Sequence, residues 1–282
     1  MRLRFRRSWA TRPARPPRPL SRAGRQGLIG IGLAMTAAIV GSAGLVAINA
    51  MARQTVREEH TYAFTGSTVS IEADLGDVQI VPGKPGEITV ARRLAYGLRR
   101  PFVEERVDGD TFRVRDRRCA ADAAFPCQVR WLLQIPRDLS VEVETRAGAI
   151  TVSGLSGRVK LVSVTGSVRA LAPSGKLLTL RSNTGSVTAQ SVASDQVVAT
   201  SNTGPVTVTF RAAPSLVVGR SETGRVGVVL PDGNDGYRIS AKSQDGSKTV
   251  ALSGATDEPD GRRRIDIRST RGDVSVLQSP EG

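Results

Sequence analysis

The 282-residue chain has a single histidine, His60, and two cysteines, Cys119 and Cys127, so any chemistry must rest mainly on carboxylates and hydroxyls. Ser–His–Asp and Cys–His centres need a histidine beside the nucleophile, and His60 stands in a short charged stretch before the first strand signals. Glu142 and Glu144 share one face of a strand. An acid pair there, or among Asp245, Asp257, Glu258 and Asp260, is the equipment of glycan-cleaving enzymes. Solvent-facing strand positions explain Glu142 and Glu144 without chemistry. Asp232, Asn234 and Asp235 put oxygen ligands in one turn, but the spacing lacks a full calcium ligand set, and a polar turn accounts for it. No phosphate loop, dinucleotide glycine fingerprint or H-E-x-x-H run occurs. The expectation is a non-enzymatic protein with no catalytic residue, cofactor or metal.

Cys119 and Cys127 enclose the short loop Ala120 to Pro126, a spacing that reads as a structural disulfide in an oxidising compartment. A zinc site would need more nitrogen and sulfur ligands nearby, and a redox pair is more often C-x-x-C.

The formal charge of +14 is unevenly placed. Residues 1–26 form an Arg/Pro-rich tail without an acid, and residues 27–52 carry no charge at all. A spanning helix needs about 20 mainly apolar residues, so 27–52 is expected to be a transmembrane helix. The positive-inside rule then keeps residues 1–26 cytoplasmic and everything after Arg53 outside the cytoplasm. Ala50-Met51-Ala52 fits a signal cleavage site and Arg6-Arg7 is a twin-arginine pair, but the apolar run exceeds a signal h-region, which favours an uncleaved signal-anchor. Gly30, Ala34 and Ala38, with Ala37 and Gly41, recur at helix-packing spacing, although an Ala/Gly-rich run produces this by chance. No aromatic interleaving or recognition fold accompanies the basic tail, so no nucleic-acid partner is expected.

The strongest signal is internal repetition. Ser163-Val-Thr-Gly166, Ser182-Asn-Thr-Gly185, Ser201-Asn-Thr-Gly204 and Ser221-Glu-Thr-Gly224 align, with looser copies at Thr145–Gly148, Ser269–Gly272 and Ala73–Gly76. The glycines at 148, 166, 185, 204 and 224 stand 18, 19, 19 and 20 residues apart. Apolar residues alternate on both sides, as in Val159/Leu161 and Val187/Ala189, which is the period of a strand with one buried face. Gly148, Gly166, Gly185, Gly204, Gly224 and Gly272 are therefore the repeat turns, expected to supply positive φ. Each unit reads as strand, tight turn, strand and looser return, and cannot bury its apolar face alone. Stacking predicts an all-β, single-strand-repeat parallel β-solenoid, β-helix- or β-roll-like, behind the N-terminal transmembrane helix. Ser163, Ser182, Ser201, Ser221 and Ser269 would form one column and Thr165, Thr184, Thr203 and Thr223 another, with Asn183 stacked on Asn202. The domain plan is a tail over 1–26, the membrane helix over 27–52, a linker over 53–60 and the β domain over 61–278. Within it, 61–140 caps the repeats of 141–278. Unpaired edges at the first and last coils call for capping or self-association.

The run Ile135-Pro136-Arg-Asp-Leu139-Ser-Val141, followed by TRAGAITVSGLSGRVKLVSVTGSVRA, resembles the bacterial "putative adhesin" domain family. The shared features are a proline-preceded strand and repeated T-x-x-G-x-[VI]-x-[VL] units, here joined by Gly154-Leu155-Ser-Gly157. The resemblance implies a membrane-linked β-solenoid at the bacterial envelope and no catalytic residues. It supports an adhesin-like or scaffold module whose partner is a cell-wall polymer or an envelope protein. A transmembrane signalling or stress-response component and a solenoid glycan hydrolase are the alternatives.

Overall fold

The structure, a computed structural model, describes residues 31, 34–44, 54–97, 100–117, 127–233, 236–252 and 261–279. The chain divides into two units, Met1–Ala47 and Ile48–Gly282. The described part of the first unit is helical, at residue 31 and over 34–44, and includes Ala34, Ala37, Ala38 and Gly41. Among the described residues no helix is long and apolar enough to cross a membrane. The membrane helix over 27–52, and the single-pass location with a cytoplasmic N-terminus built on it, are therefore corrected. The tail 1–26 and Gly30 lie outside the described residues.

In the second unit the alternating pattern becomes strands. In chain order they are β1 (Gln54–Ala63), β2 (Thr68–Leu75), β3 (Val78–Pro82), β4 (Glu87–Tyr96), β5 (Phe102–Asp108), β6 (Thr111–Arg117) and β7 (Cys127–Ile135). There follow β8 (Ser140–Ala147), β9 (Ile150–Ser153), β10 (Val159–Thr165), β11 (Val168–Leu171), β12 (Leu177–Thr184), β13 (Val187–Val192) and β14 (Gln196–Ser201). The last are β15 (Val206–Phe210), β16 (Leu216–Ser221), β17 (Val226–Leu230), β18 (Tyr237–Ser243), β19 (Lys248–Ala251), β20 (Arg263–Ser269) and β21 (Val274–Gln278). β1 takes in most of the stretch read as a linker over 53–60.

These strands make two large mixed sheets. An 11-stranded sheet runs β1-β4-β7-β3-β9-β11-β13-β15-β17-β21-β19, and a 10-stranded sheet runs β18-β20-β16-β14-β12-β10-β8-β2-β6-β5. This corrects the expected single-strand-repeat, all-parallel solenoid. From β8 to β17 each repeat gives one strand to each sheet, and like strands pair in parallel. The ends differ: β1/β4, β4/β7 and β5/β6 are antiparallel. For β5/β6 the reason is local, because the strands are joined through Gly109 at φ 59° and Asp110. A two-residue turn can join only antiparallel neighbours, since parallel ones need a crossover.

The core lies between the sheets. In β10 and β11 the inward side chains Val159, Leu161, Val168 and Ala170 are at most 1% exposed. The next repeat continues the rows with Leu178, Leu180, Val187 and Ala189. Burying a Val or Leu of this kind contributes roughly 1.5–3 kcal/mol, which lets a core with few aromatics hold.

Neighbours in space are not always neighbours in sequence. β20 and β21 lie between the β16/β17 rung and the β18/β19 rung, although β18 and β19 precede them in the chain. At the other end β2 and β3 lie between the β6/β7 rung and the β8/β9 rung. At this second end Tyr62 of β1 donates its hydroxyl to Glu105 of β5 at 2.7 Å. Arg92 of β4 pairs with the same carboxylate, and with Glu58. Burial pushes the Tyr62 phenol up to about 12, aided by Glu105. Burial also acts to raise Glu58, but Arg92, with Arg100 and His60, outweighs it and holds that carboxyl below its usual value.

Candidate functional site

The turn glycines sit where adjacent rungs come closest. A Cβ on Gly166 would fall 2.0 Å from the carbonyl oxygen of Gly148. The corresponding separations are 2.2 Å for Gly185, 2.0 Å for Gly204, 2.3 Å for Gly224 and 2.3 Å for Gly272, each to the glycine of the rung before. Gly148 meets Gly76 in the same way at 2.0 Å. Close approach, rather than dihedral angle, is what these positions share. Gly148, Gly166 and Gly185 have φ of 145°, 154° and 153°, whereas Gly204, Gly224 and Gly272 are not at positive φ. In five of the six the hydrogen bonding differs in the same way. Gly148 and Gly166 donate their N–H to Thr165 and Thr184 of the following rung at 3.0 and 2.9 Å. Gly204, Gly224 and Gly272 donate instead to the hydroxyl of their own Ser201, Ser221 and Ser269, each at 2.9 Å.

Ser163, Ser182, Ser201, Ser221 and Ser269 are in register with one another. All are buried, and each donates to the glycine carbonyl of the preceding rung, at 2.8–2.9 Å for all but Ser163 at 3.2 Å. Asp116 lies beside the start of this column, 3% exposed, accepting from the Asp74 N–H at 2.6 Å and the Trp131 indole at 3.1 Å. Burial pushes its carboxyl up despite these two donors. At the turn tips Asn202 donates to Asn183, and Thr165 is in register with Thr184.

Immediately outside the serines runs a second column, in the order Val162, Arg181, Thr200, Arg220, Arg268, Lys242. These residues and the Asn183/Asn202 tips line an open groove of about 790 Å³ across β10, β12, β14, β16, β20 and β18. Arg268 shares Asp266, at 3.0 Å, with Arg264 at 3.6 Å. Arg181, Arg220 and Lys242 form no ion pair with a described residue. Among the described residues the only carboxylate in the lining is Glu222, and none of the lining residues is aromatic. The basic positions had a signal in the sequence that the glycine alignment passed over: a cation precedes the column serine in Arg181-Ser182, Arg220-Ser221, Lys242-Ser243 and Arg268-Ser269. The copy Ser243-Gln-Asp-Gly246 was missed as well. Its serine donates to the Gly272 carbonyl at 2.8 Å and accepts from the Gly246 N–H at 2.9 Å.

The carboxylates read as candidate acids are engaged or apart. Glu142 and Glu144 both pair with Lys160, and the Glu142 bond first, then Glu144, holds that ammonium above its usual value. Asp245 sits at the turn after β18, its N–H donating to the Thr270 carbonyl at 2.9 Å. Asp232 caps the Gly233 N–H at 3.0 Å. His60 lies 3.3 Å from Glu105. Asp257, Glu258, Asp260, Asn234, Asp235 and Cys119 lie outside the described residues, and Cys127 opens β7. Among the described residues no group of three His, Cys, Asp or Glu could hold a metal ion.

No family model matches the chain, and no curated protein does. Solved structures are similar to it over most of their length. A "putative cell adhesion protein" from Clostridium sporogenes is 12% identical with a TM-score of 0.37, covering 80% of this chain and 100% of its own. A "putative adhesin" from Bacteroides fragilis is 10% identical with a TM-score of 0.44, covering 79% and 97%. A "putative adhesin" from Parabacteroides merdae is 9% identical with a TM-score of 0.39, covering 78% and 96%.

Proposed function

We propose that the protein is a non-enzymatic, adhesin-like or scaffold interaction module that holds an extended surface partner, a cell-wall polymer or an envelope protein, along the groove of the 10-stranded sheet. One observation carries the reading: the groove crosses six successive strands of a hydrogen-bonded sheet, so a long partner meets a series of equivalent side chains at ~4.8 Å intervals. The Lys160 pairing of Glu142 and Glu144 argues against a free acid pair for glycan cleavage. The test is retention of the protein on isolated bacterial cell walls and envelope extracts, with Thr200→Trp as a variant that fills the groove floor. Retention by the native protein and its loss in T200W support the reading. Equal retention of both would move the contact elsewhere, and release of reducing sugar would favour a hydrolase.

We also propose that Cys119 and Cys127 form a disulfide that closes the loop ahead of β7. No free cysteine occurs among the described residues. Alkylation under denaturing conditions without reductant should add no mass, and two alkyl groups should add after reduction. Labelling before reduction would refute the bond.

A further inference from the structure

The groove has a charge pattern that narrows its partner. Arg220, Arg268 and Lys242 occupy three consecutive rungs, and Arg181 stands two rungs before Arg220 with Thr200 between. Four rung intervals separate Arg181 from Lys242, about 19 Å at ~4.8 Å per strand. A single small anion would engage one or two of these cations, and only a chain of anions engages the row. Elsewhere on this sheet the charges are already matched: Lys160 with Glu142 and Glu144, Arg115 with Glu72 at 2.6 Å, and Arg146 with Asp74 at 3.3 Å. Among the described strand residues of this sheet, Arg181, Arg220 and Lys242 are left without an acid partner, and all three line the groove.

The neutral lining separates one polyanion from another. Single-stranded nucleic acid is held by bases stacked on aromatic side chains, and none of the described lining residues is aromatic. It has hydroxyls and amides instead, with Thr200, Asn183, Asn202 and Gln244 beside the cations. Such groups pair with sugar hydroxyls, which are donors and acceptors at once. Glu222, the lone carboxylate, repels an anion placed beside it and so restricts the register of a bound chain.

We infer that the groove binds a linear acidic polysaccharide, a chain carrying carboxylates on its sugars, laid across the strands with those carboxylates against Arg181, Arg220, Arg268 and Lys242. This rests on the interaction-module reading and names the partner of that same site. Arg268 is paired with Asp266, while Arg181, Arg220 and Lys242 have no ion pair with a described residue to give up on binding.

The test uses the full chain and polygalacturonate as the probe, with fully methyl-esterified polygalacturonate and oligo(dT) as comparators, measured by biolayer interferometry across a salt series. The triple variant R181S/R220T/K242T removes the unmatched cations, and Thr200 shows that the column accommodates threonine. Arg169→Ser, on the other sheet, is the control. Polygalacturonate is expected to bind, more weakly as salt rises, with the ester and the triple variant each reduced about tenfold or more and R169S unchanged. Equal binding by the triple variant, by the ester or by oligo(dT) overturns the assignment. Cell-wall retention that survives in the triple variant leaves the module reading standing and this inference refuted. Absence of binding to both cell walls and polygalacturonate refutes the module reading itself.

Discussion

Replacing Gly204 by alanine isolates the close approach of rungs from any dihedral cost, because Gly204 is not at positive φ. The new Cβ would lie 2.0 Å from the Gly185 oxygen and 2.4 Å from its carbon, both rigid backbone. Ordinary contact begins near 3.4 Å, so the rungs must part by about 1.4 Å at this point. That separation breaks two bonds spanning the joint, Ser201 Oγ to the Gly185 oxygen at 2.8 Å and the Val187 N–H to the Pro205 oxygen at 2.9 Å. At about 1 kcal/mol each, with about 1–3 kcal/mol for overpacking, G204A should lose about 3–5 kcal/mol. For a domain of this size that lowers Tm by about 6–20 °C. Urea and thermal unfolding followed by far-UV circular dichroism measure it. Gly227→Ala is the matched control: its Cβ meets nothing nearer than the Ser275 hydroxyl at 3.4 Å, so it should be neutral or slightly stabilising. A G204A protein within about 1 kcal/mol of the native one would show that the rungs separate freely, and the glycine column would lose its explanation.

Ser201→Ala removes a donor to Gly185 and strands the buried Gly204 N–H, costing about 1–3 kcal/mol. Ser163→Ala removes one longer bond and should cost about 1 kcal/mol or less, and equal losses in the two unfolding curves would contradict the difference between early and late turns. The Asp116 carboxyl is raised in the folded state, so its contribution is fully present below its unfolded value near pH 4 and is lost as pH rises through the folded value. The stability of the native protein relative to Asp116→Asn should accordingly fall with rising pH over that window, and a parallel pair of profiles would count against it. Tyr62, pushed up to about 12 by burial and then Glu105, contributes stability lost between about pH 10 and 12, and Tyr62→Phe should remove one late-titrating phenol from the absorbance titration.

The glycine alignment made equivalent residues readable, because whatever occupies the tightest point between rungs must lack a side chain. Ser182 faces Ser201 and Leu180 faces Ala199 in the structure as in that alignment. What alignment cannot carry is adjacency. Ser269 and Ser243 are both equivalent to Ser221, and only the pairing shows that Ser269 is the immediate neighbour. The antiparallel strands β1, β4 and β5 were also hidden, since alternation sets which face is buried and not which way the neighbour runs. The Asp108-Gly109 dipeptide, at the joint of β5 and β6, is a local cue to an antiparallel pair. The cation column escaped notice because its members are exposed and follow no apolar period. The regularity appears only once the serines define the rungs.

The two displaced rungs constrain how such a gene can lengthen. Between β8 and β17 each new repeat lies directly on the one before it, so a tandem duplication there adds a rung without disturbing its neighbours. At either end the chain leaves a place and fills it later, and an added copy would have no vacant position to enter. Copy number is thus adjustable only from the middle, which is also the stretch that supplies Arg181 and Arg220, so inheritance of a longer array would change how many anionic units a descendant can grip before it changed anything else.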